Sequence, residues 1–336
     1  MPSVVIAIPT LFGGPTLLAC LDALCRQHYR DFEVIVINNG EGLSGAESMP
    51  VNFALRVISP GSNIGFGAAI NRAAEVSIAP MVATLNDDTE PEENWLQTLV
   101  AAMDSDGDVG MCAPRIEIFG SETLDSAGML LCADGSSKQR GQSQPRANWL
   151  TSGDALLPSG CSALYRRQML HETGAFDEDF FLYCEDTDLG LRARWAGWKC
   201  RYVADSLVQH HYSRSAGAFS PLKAKFVERN RLWVAIKNFP LSLLLALPFV
   251  TVARYAWQWS AVRNQRGAAS GFVRSGHSMT EIIRILWTAH WETLLNLPAL
   301  LRKRAACSAR RRITPAEFLR EVKRHNIGPK ELAYSG

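Results

Sequence analysis

The sequence predicts an α/β fold with a parallel sheet, followed by a helical, basic and aromatic tail. Three observations carry this expectation. Short β-branched runs alternate with helical spacings through the first hundred residues. Two carboxylate clusters, Asp87-Asp88 and Glu185-Asp186-Thr187-Asp188, adjoin apolar elements. From Phe239 to Ala253 there is no charged residue, and basic clusters follow later. Strand–helix alternation favours a parallel sheet with ligands at the C-terminal ends of its strands.

The elements follow in order. Val4–Ile8 is a β-branched strand ended by Pro9, and Leu17 to Leu24 has helical spacing. Glu33–Ile37 is a second strand, ended by Asn38-Asn39-Gly40. Leu55–Ile58 is a third, and Gly65 to Val76 is an alanine-rich helix. Met81–Leu85 is a fourth strand that runs into Asp87-Asp88, and Trp95–Met103 is helical. Glu117 to Leu150, rich in Gly, Ser and Gln, reads as loops and short antiparallel strands. Asp186 to Ala196 is a helix ended by Gly197, and Lys199–Val203 is a strand ahead of His210-His211.

The 336 residues carry a formal net charge of +2. So even a balance gives no global field for nucleic acid. The eight cysteines form no CxxC pair, and several lie in apolar runs. They read as buried free thiols of a reducing compartment rather than a disulfide frame or zinc site. No basic n-region with a long apolar core opens the chain.

Three carboxylates within Glu185 to Asp188, set between aromatic and apolar neighbours, fit poorly with a solvated face. One carboxylate cluster can hold a divalent metal and a diphosphate, and the other can supply a general base. Each motif also has a plainer reading. Gly61-Ser62-Asn63-Ile64-Gly65-Phe66-Gly67 can be strand–helix punctuation. Asp87-Asp88 can be a turn before a helix. Asp188 and Arg192 have the i,i+4 spacing of a helix ion pair, the preferred reading there. Lys223, Lys225, Arg229 and Arg231 read as a solvated helix face.

In this order the motifs resemble the family 2 glycosyltransferases. These are inverting enzymes of the GT-A fold, a Rossmann-like mixed sheet that binds nucleotide-diphosphate sugars. The nearest-looking branch includes rhamnosyltransferases of bacterial cell-surface polysaccharide synthesis. The resemblance covers roughly Val4 to Asn238 and rests on several motifs in order. It implies a nucleotide pocket formed by Pro9, Thr10, Asn38, Asn39, Asn63, Gly65, Gly67, Asn71 and Asp87, with Arg214 on the diphosphate. Asn38 stands where the family usually has an Asp on the nucleobase edge. It implies a metal, Mg²⁺ or Mn²⁺, on Asp88 and Asp87, completed by His211 or His210. Asp186 would be the catalytic base, and Glu185 would orient it or contact the acceptor. Gly160 and Cys161 would floor the acceptor pocket.

The resemblance thus implies an inverting, metal-dependent transferase acting on a lipid-linked or polysaccharide acceptor. dTDP-rhamnose is the first donor expected, with a UDP-sugar as the alternative. A dinucleotide-dependent oxidoreductase lacks its third glycine after Gly65-Phe66-Gly67, and a nucleotidyltransferase has only a poor signature in Gly13-Gly14. A non-catalytic membrane scaffold is the remaining alternative, with Asn38 in its favour.

The expected domains are residues 1–238, catalytic, and 239–336, helical. The charge-free stretch is shorter than the roughly 20 residues of a bilayer span, and Pro248 is expected to break it. Trp257, Trp259, Trp287 and Trp291 lie near Arg302-Lys303-Arg304 and Arg310-Arg311-Arg312. Apolar and aromatic faces beside basic clusters describe helices lying on a membrane. The expected location is therefore cytoplasmic, peripheral on the inner face of the cell membrane. Ordinary amphipathic helices that pack on the catalytic domain or form a homodimer are the alternative.

Overall fold

A computed structural model describes residues 1–40, 43, 49–211 and 220–335. The chain divides into two compact units. The first is Met1–Met129 with Gln139–Ser215, and the second is Leu130–Lys138 with Ala216–Gly336. The division differs from the boundary at residue 238 expected from composition. It falls before the helix at Pro221–Asn238, whose charged side chains are bound to groups of the second unit.

The first unit opens with β1 (Val4–Thr10), α1 (Gly14–Cys25), β2 (Phe32–Asn38), β3 (Ala54–Ile58), α2 (Phe66–Glu75) and β4 (Met81–Leu85). β1 pairs in parallel with β2 and β4, and β2 with β3. Val4 to Ile8 are fully buried, which explains their unbroken apolar run: both faces of the central strand are covered. Next come β5 (Thr89–Pro91), α3 (Trp95–Asp104), β6 (Val109–Ile118) and β7 (Leu124–Ser126). The hairpin of β8 (Met129–Leu131) and β9 (Ser137–Gln139), most of which belongs to the second unit, comes next in the chain, and the first unit resumes with β10 (Gly153–Ala155) and β11 (Ser162–Arg166). α4 (Arg167–Thr173), α5 (Glu185–Trp195) and β12 (Lys199–His210) complete the unit.

Strand–helix alternation alone predicts a parallel sheet; the sheet is a mixed one of ten strands, as the resemblance implies, with path β10-β12-β6-β11-β4-β1-β2-β3. β11 runs antiparallel between β4 and β6, while β12 is parallel to β6 and antiparallel to β5 and β10. A fully buried apolar strand reads the same in either direction, so the sequence pattern does not reveal this reversal.

The second unit is helical: α6 (Pro221–Asn238), α7 (Leu241–Arg263), α8 (Gly267–Arg274), α9 (Met279–Leu295), α10 (Leu297–Ala309), α11 (Pro315–Arg324) and α12 (Pro329–Tyr334). α6 starts where Ser220 accepts the Lys223 N–H at 3.2 Å, with Pro221 in its first turn. α11 carries a capping box between Thr314 and Glu317. Pro248 lies inside α7 without ending it, contrary to expectation.

Arg229 and Arg231 are buried, not solvated. The guanidinium of Arg231 meets Glu228 and lies 3.6 Å from Asp134. Arg254, on α7, lies 2.8 Å from Glu228 and 2.5 Å from Asp134. Two carboxylates and two guanidiniums thus balance inside the unit, which is how such groups are tolerated there.

Candidate active site

The parallel strands β1, β2 and β4 end at one edge, and that edge gathers the first set of expected residues. Pro9 and Thr10 lie opposite Ile37 and Asn38, and Ala7 lies opposite Thr84. Continuing the second register brings Asp87 to Thr10, whose hydroxyl donates to its carboxylate. The Gly13 N–H donates to the Thr10 hydroxyl at 2.9 Å, and the Asn39 N–H to the Thr10 carbonyl at 2.8 Å. Asn38 and Asn39 are both buried. Asn38 donates to Ser59 Oγ at 3.4 Å and accepts from the Gly40 N–H at 3.1 Å. Asn39 donates to the Gly65 carbonyl at 3.2 Å.

The glycine-rich loop is held against the segment that leads to the second carboxylate cluster. Asn63 accepts the Gly65 N–H at 2.9 Å. Gly65 has φ +84°, and a Cβ there would stand 2.3 Å from the Phe181 carbonyl oxygen. At Gly67 a Cβ would stand 3.0 Å from that of Phe176. Asn71 donates to the Phe176 carbonyl and to Glu178, both at 2.9 Å, and accepts the Phe176 N–H at 3.1 Å. These residues, expected at a nucleotide, therefore fix the approach to Glu185 and Asp186.

β5 follows the Asp87-Asp88 turn and pairs antiparallel with the end of β12, His210 opposite Thr89. This register brings His210 Nε2 to 3.3 Å from Asp88 Oδ1. On its other side, His210 Nδ1 lies 2.9 Å from Asp125 Oδ2 on β7. Asp125, Cys161 and His210 offer ligand atoms within 4.8 Å of one another. The second Asp125 oxygen is buried with no hydrogen-bond partner among the described residues. His211 diverges from this group. Its N–H donates to the Asp88 carbonyl at 2.9 Å, but its ring lies 2.8 Å from Glu90 and stacks on Phe119 at 4.0 Å. The sequence left the two histidines equivalent; the structure brings His210, not His211, beside the Asp88 carboxylate.

Burial acts against the Asp88 charge, but the His210 hydrogen bond and charge outweigh it and hold the carboxyl below its usual range. Burial pushes Asp87 up to about 6, with the Asp88 charge adding to it. Burial also opposes a charge on His210, and Cys161, Asp125 and Asp88 together overcome it and raise its pKa. Carboxylate oxygens with one imidazole suit Mg²⁺ or Mn²⁺, and a carboxylate behind the histidine is the usual support for such a ligand. The residues present fit a divalent ion. Asp125 was missed in the sequence, where a lone Asp among Ser, Thr and apolar neighbours gives no signal.

The second cluster sits at the N-terminus of α5. Asp186 Oδ2 accepts the Gly160 N–H at 2.9 Å, and Oδ1 accepts the Thr187 N–H at 2.6 Å and its hydroxyl at 3.1 Å. Burial raises the Asp186 carboxyl, and these donors pull it back. Glu185 is pushed up to about 8, first by burial and then by the Asp186 charge. Its Oε2 is buried with no hydrogen-bond partner among the described residues. Just before them, Phe181, Tyr183 and Cys184 have φ of 63°, 69° and 67°. Non-glycine residues held in that region mark a backbone constrained by its surroundings. Asp188 and Arg192 form the expected pair at 2.8 Å. Arg192 also donates to the Thr173 and Ala175 carbonyls at 2.7 Å, so it anchors the loop.

Gly160 and Cys161 join the two clusters. The Gly160 N–H holds Asp186, and the Cys161 carbonyl accepts the Asn86 N–H at 2.8 Å. Arg214, with Ser213 and Ser215, lies outside the described residues.

The chain is 29% identical over 232 residues to an N-acetylglucosaminyl-diphospho-decaprenol L-rhamnosyltransferase of Mycobacterium tuberculosis, covering 62% of this chain and 76% of that one. It is 27% identical over 266 residues to the O-antigen biosynthesis protein RfbC of Myxococcus xanthus, covering 71% of this chain and 20% of that one. Among solved structures, GalNAc-T7 with UDP, GalNAc and Mn²⁺ matches with TM-score 0.58 and 16% identity, over 70% of this chain and 48% of that one. A mannosyltransferase from Pyrobaculum calidifontis with GDP-Man and Mn²⁺ matches with TM-score 0.53 and 16% identity, over 96% and 87%. These structures share the fold, a GT-A mixed sheet. The profile of glycosyl transferase family 2 matches residues 5–174, half of the chain, and the protein belongs to that family of glycosyltransferases.

Proposed function

We propose that this glycosyltransferase moves a sugar, L-rhamnose from dTDP-rhamnose in the first instance, to a hydroxyl of a lipid-linked or polysaccharide acceptor. The observation that carries the reading is the Gly160-Cys161 link, which fixes Asp186 next to the strand edge that bears Asp87, Asp88 and His210. The rhamnosyltransferase name of the Mycobacterium tuberculosis relative supports the sugar and a diphospho-lipid acceptor. The Mn²⁺ named with both structural neighbours, beside UDP and GalNAc in one and GDP-Man in the other, supports a metal and a nucleotide donor.

Asp88 and His210, with Asp87, would hold the ion. A divalent ion there supplies charge neutralisation for a departing nucleotide diphosphate. Thr10, Asn39 and the glycine-rich loop shape the donor side. Asp186, fixed by three donors, takes the acceptor hydroxyl proton. The oxygen then bonds to the anomeric carbon as the bond to the diphosphate breaks, which inverts the configuration.

The test is transfer from dTDP-rhamnose to polyprenyl-diphosphate N-acetylglucosamine with Mn²⁺, for the wild type and Asp186→Asn. The expected result is transfer by the wild type and a loss of about 10³-fold or more in turnover for the variant. Mn²⁺-dependent dTDP affinity should stay within about threefold. Near-normal turnover by Asp186→Asn would overturn the base assignment. Transfer from a UDP-sugar alone would replace the donor.

A further inference from the structure

The helix α7 of the second unit is built inside out, and α9 carries a second exposed apolar stripe beside its buried one. On α7 the buried residues are Thr251, Arg254 and Ala261, while Leu241, Leu245, Phe249, Val252 and Trp259 are exposed. Phe249 is 77% exposed and Arg254 only 5%. On α9 the buried residues are Ile285, Ala289 and Thr293, while Ile283, Trp287, Trp291 and Leu294 are exposed. Each exposed set follows helical spacing and so forms one stripe. A helix in water turns its apolar stripe inward; on α7 the guanidinium of Arg254 and the hydroxyl of Thr251 face in, and on both helices aromatic and branched side chains face out. Patches of this kind on a protein surface mark interaction sites. The two helices approach one another at Tyr255 of α7 and His290 of α9, whose ring centroids are 6.4 Å apart.

Charge selects the partner. Between Phe239 and Ala316 there are eleven Lys or Arg residues and two acids, Glu281 and Glu292. Both acids are engaged: Glu281 lies 2.9 Å from His277, and Glu292 lies 2.6 Å from Lys225 and 3.4 Å from Arg229. Arg302 on α10, and Arg310 and Arg312 after it, are exposed. A second copy would bring the same positive charge against this surface. Anionic lipid headgroups would neutralise it, and interfacial depth suits the tryptophans.

We propose that the outward faces of α7 and α9 form a docking surface for an anionic lipid leaflet, on which the chain lies without crossing it. α7 is long and apolar enough to cross a membrane. Its Arg254, however, is committed to Glu228 and Asp134 inside the unit, and its second half packs on α8 and α12. That leaves only one face for lipid. The inference extends the reading of a lipid-linked acceptor but depends on neither the donor nor turnover.

The test is flotation of the full chain with vesicles of phosphatidylcholine alone or mixed with phosphatidylglycerol, at low and high salt. The expected result is flotation with the mixed vesicles, weaker with the neutral ones and reduced by salt, with a blue shift of tryptophan emission. The triple variant Phe249→Ser, Trp287→Ser, Trp291→Ser should lower the partition coefficient about tenfold or more at an unchanged circular-dichroism melt. The charge variant Arg302→Glu, Arg310→Glu, Arg312→Glu should lose the preference for anionic vesicles. No flotation with either vesicle, or full flotation of the triple variant, would overturn the proposal. So would a lipid-free dimer that the triple variant dissociates, which assigns the faces to self-assembly. Resistance to alkaline carbonate extraction would overturn it in favour of a spanning α7. None of these outcomes touches sugar transfer, so they are separate from a failure of the donor or acceptor reading.

Discussion

His210 Nδ1 lies 2.9 Å from Asp125 Oδ2, so the imidazole is oriented by a carboxylate from β7 while its other nitrogen points to Asp88. The pairing of β5 with β12 delivers the histidine, and β7 delivers its support. A carboxylate behind a metal-binding histidine fixes tautomer and ring orientation. Asp125→Asn should therefore weaken Mn²⁺-dependent nucleotide binding by about 10- to 100-fold, as read by calorimetry. Glu90→Gln, which touches only the His211 side, should change it by less than about threefold. The reverse order would move the ligand role from His210 to His211.

Glu185 ties stability to pH. Its carboxyl is pushed up to about 8 from an ordinary value of 4.5 by burial and by Asp186. The folded chain therefore keeps a proton that the unfolded chain releases above about pH 4.5. The contribution of this group to stability is full below that value and declines as pH rises toward 8. Glu185→Gln has no proton to lose. Urea unfolding should show the variant gaining on the wild type by on the order of 1–3 kcal/mol between pH 5 and pH 8. Parallel stability curves for the two proteins would count against the buried, protonated glutamate.

Gly65→Ala should cost about 2 kcal/mol or more, because the new methyl meets the Phe181 carbonyl in addition to the strain of φ +84°. Gly61 is the matched control, with φ +86° and nothing within 4 Å of an added Cβ, so Gly61→Ala should cost only about 1 kcal/mol. Chemical unfolding gives both values. Turnover should fall further in the Gly65 variant, since the displaced segment leads directly to Glu185 and Asp186. Equal costs at the two glycines would remove the close approach from the account.

Much of this was legible in the sequence where a residue type is rare in its setting. Asp87-Asp88 after an apolar strand and three carboxylates after Cys184 have few plain explanations, and the structure joins both through Gly160 and Cys161. The Asp188–Arg192 pair was equally readable from spacing. Asp125 was not, because its role depends on β7 joining the edge of β6, a pairing that no local pattern announces. The glycine-rich loop was recognised, but its restraint on Phe176 and Phe181 is a long-range contact. Arg231 was misread for a related reason: burial of a charge is decided by partners that include groups distant in the chain, here Asp134 as well as Glu228.

That buried set gives the last prediction. Arg254→Met leaves Arg231 alone with two carboxylates, Glu228 and Asp134, inside the second unit. Removing one member of a buried ion group costs about 3–5 kcal/mol, because the remaining charges stay desolvated. The Glu228 carboxyl is held well below its ordinary 4.5: burial opposes its charge, but Arg231 and Arg254 outweigh that. A depressed carboxyl stabilises the fold above its unfolded value and loses that contribution as pH falls below it. The wild type should thus lose stability steadily from pH 5 downward, and Arg254→Met should start lower and fall less steeply, because Glu228 has lost part of what holds it charged. Urea titrations of the full chain between pH 3 and pH 7 measure both the offset and the slope. A variant with an unchanged offset would mean that Arg231 alone suffices to balance Glu228 and Asp134.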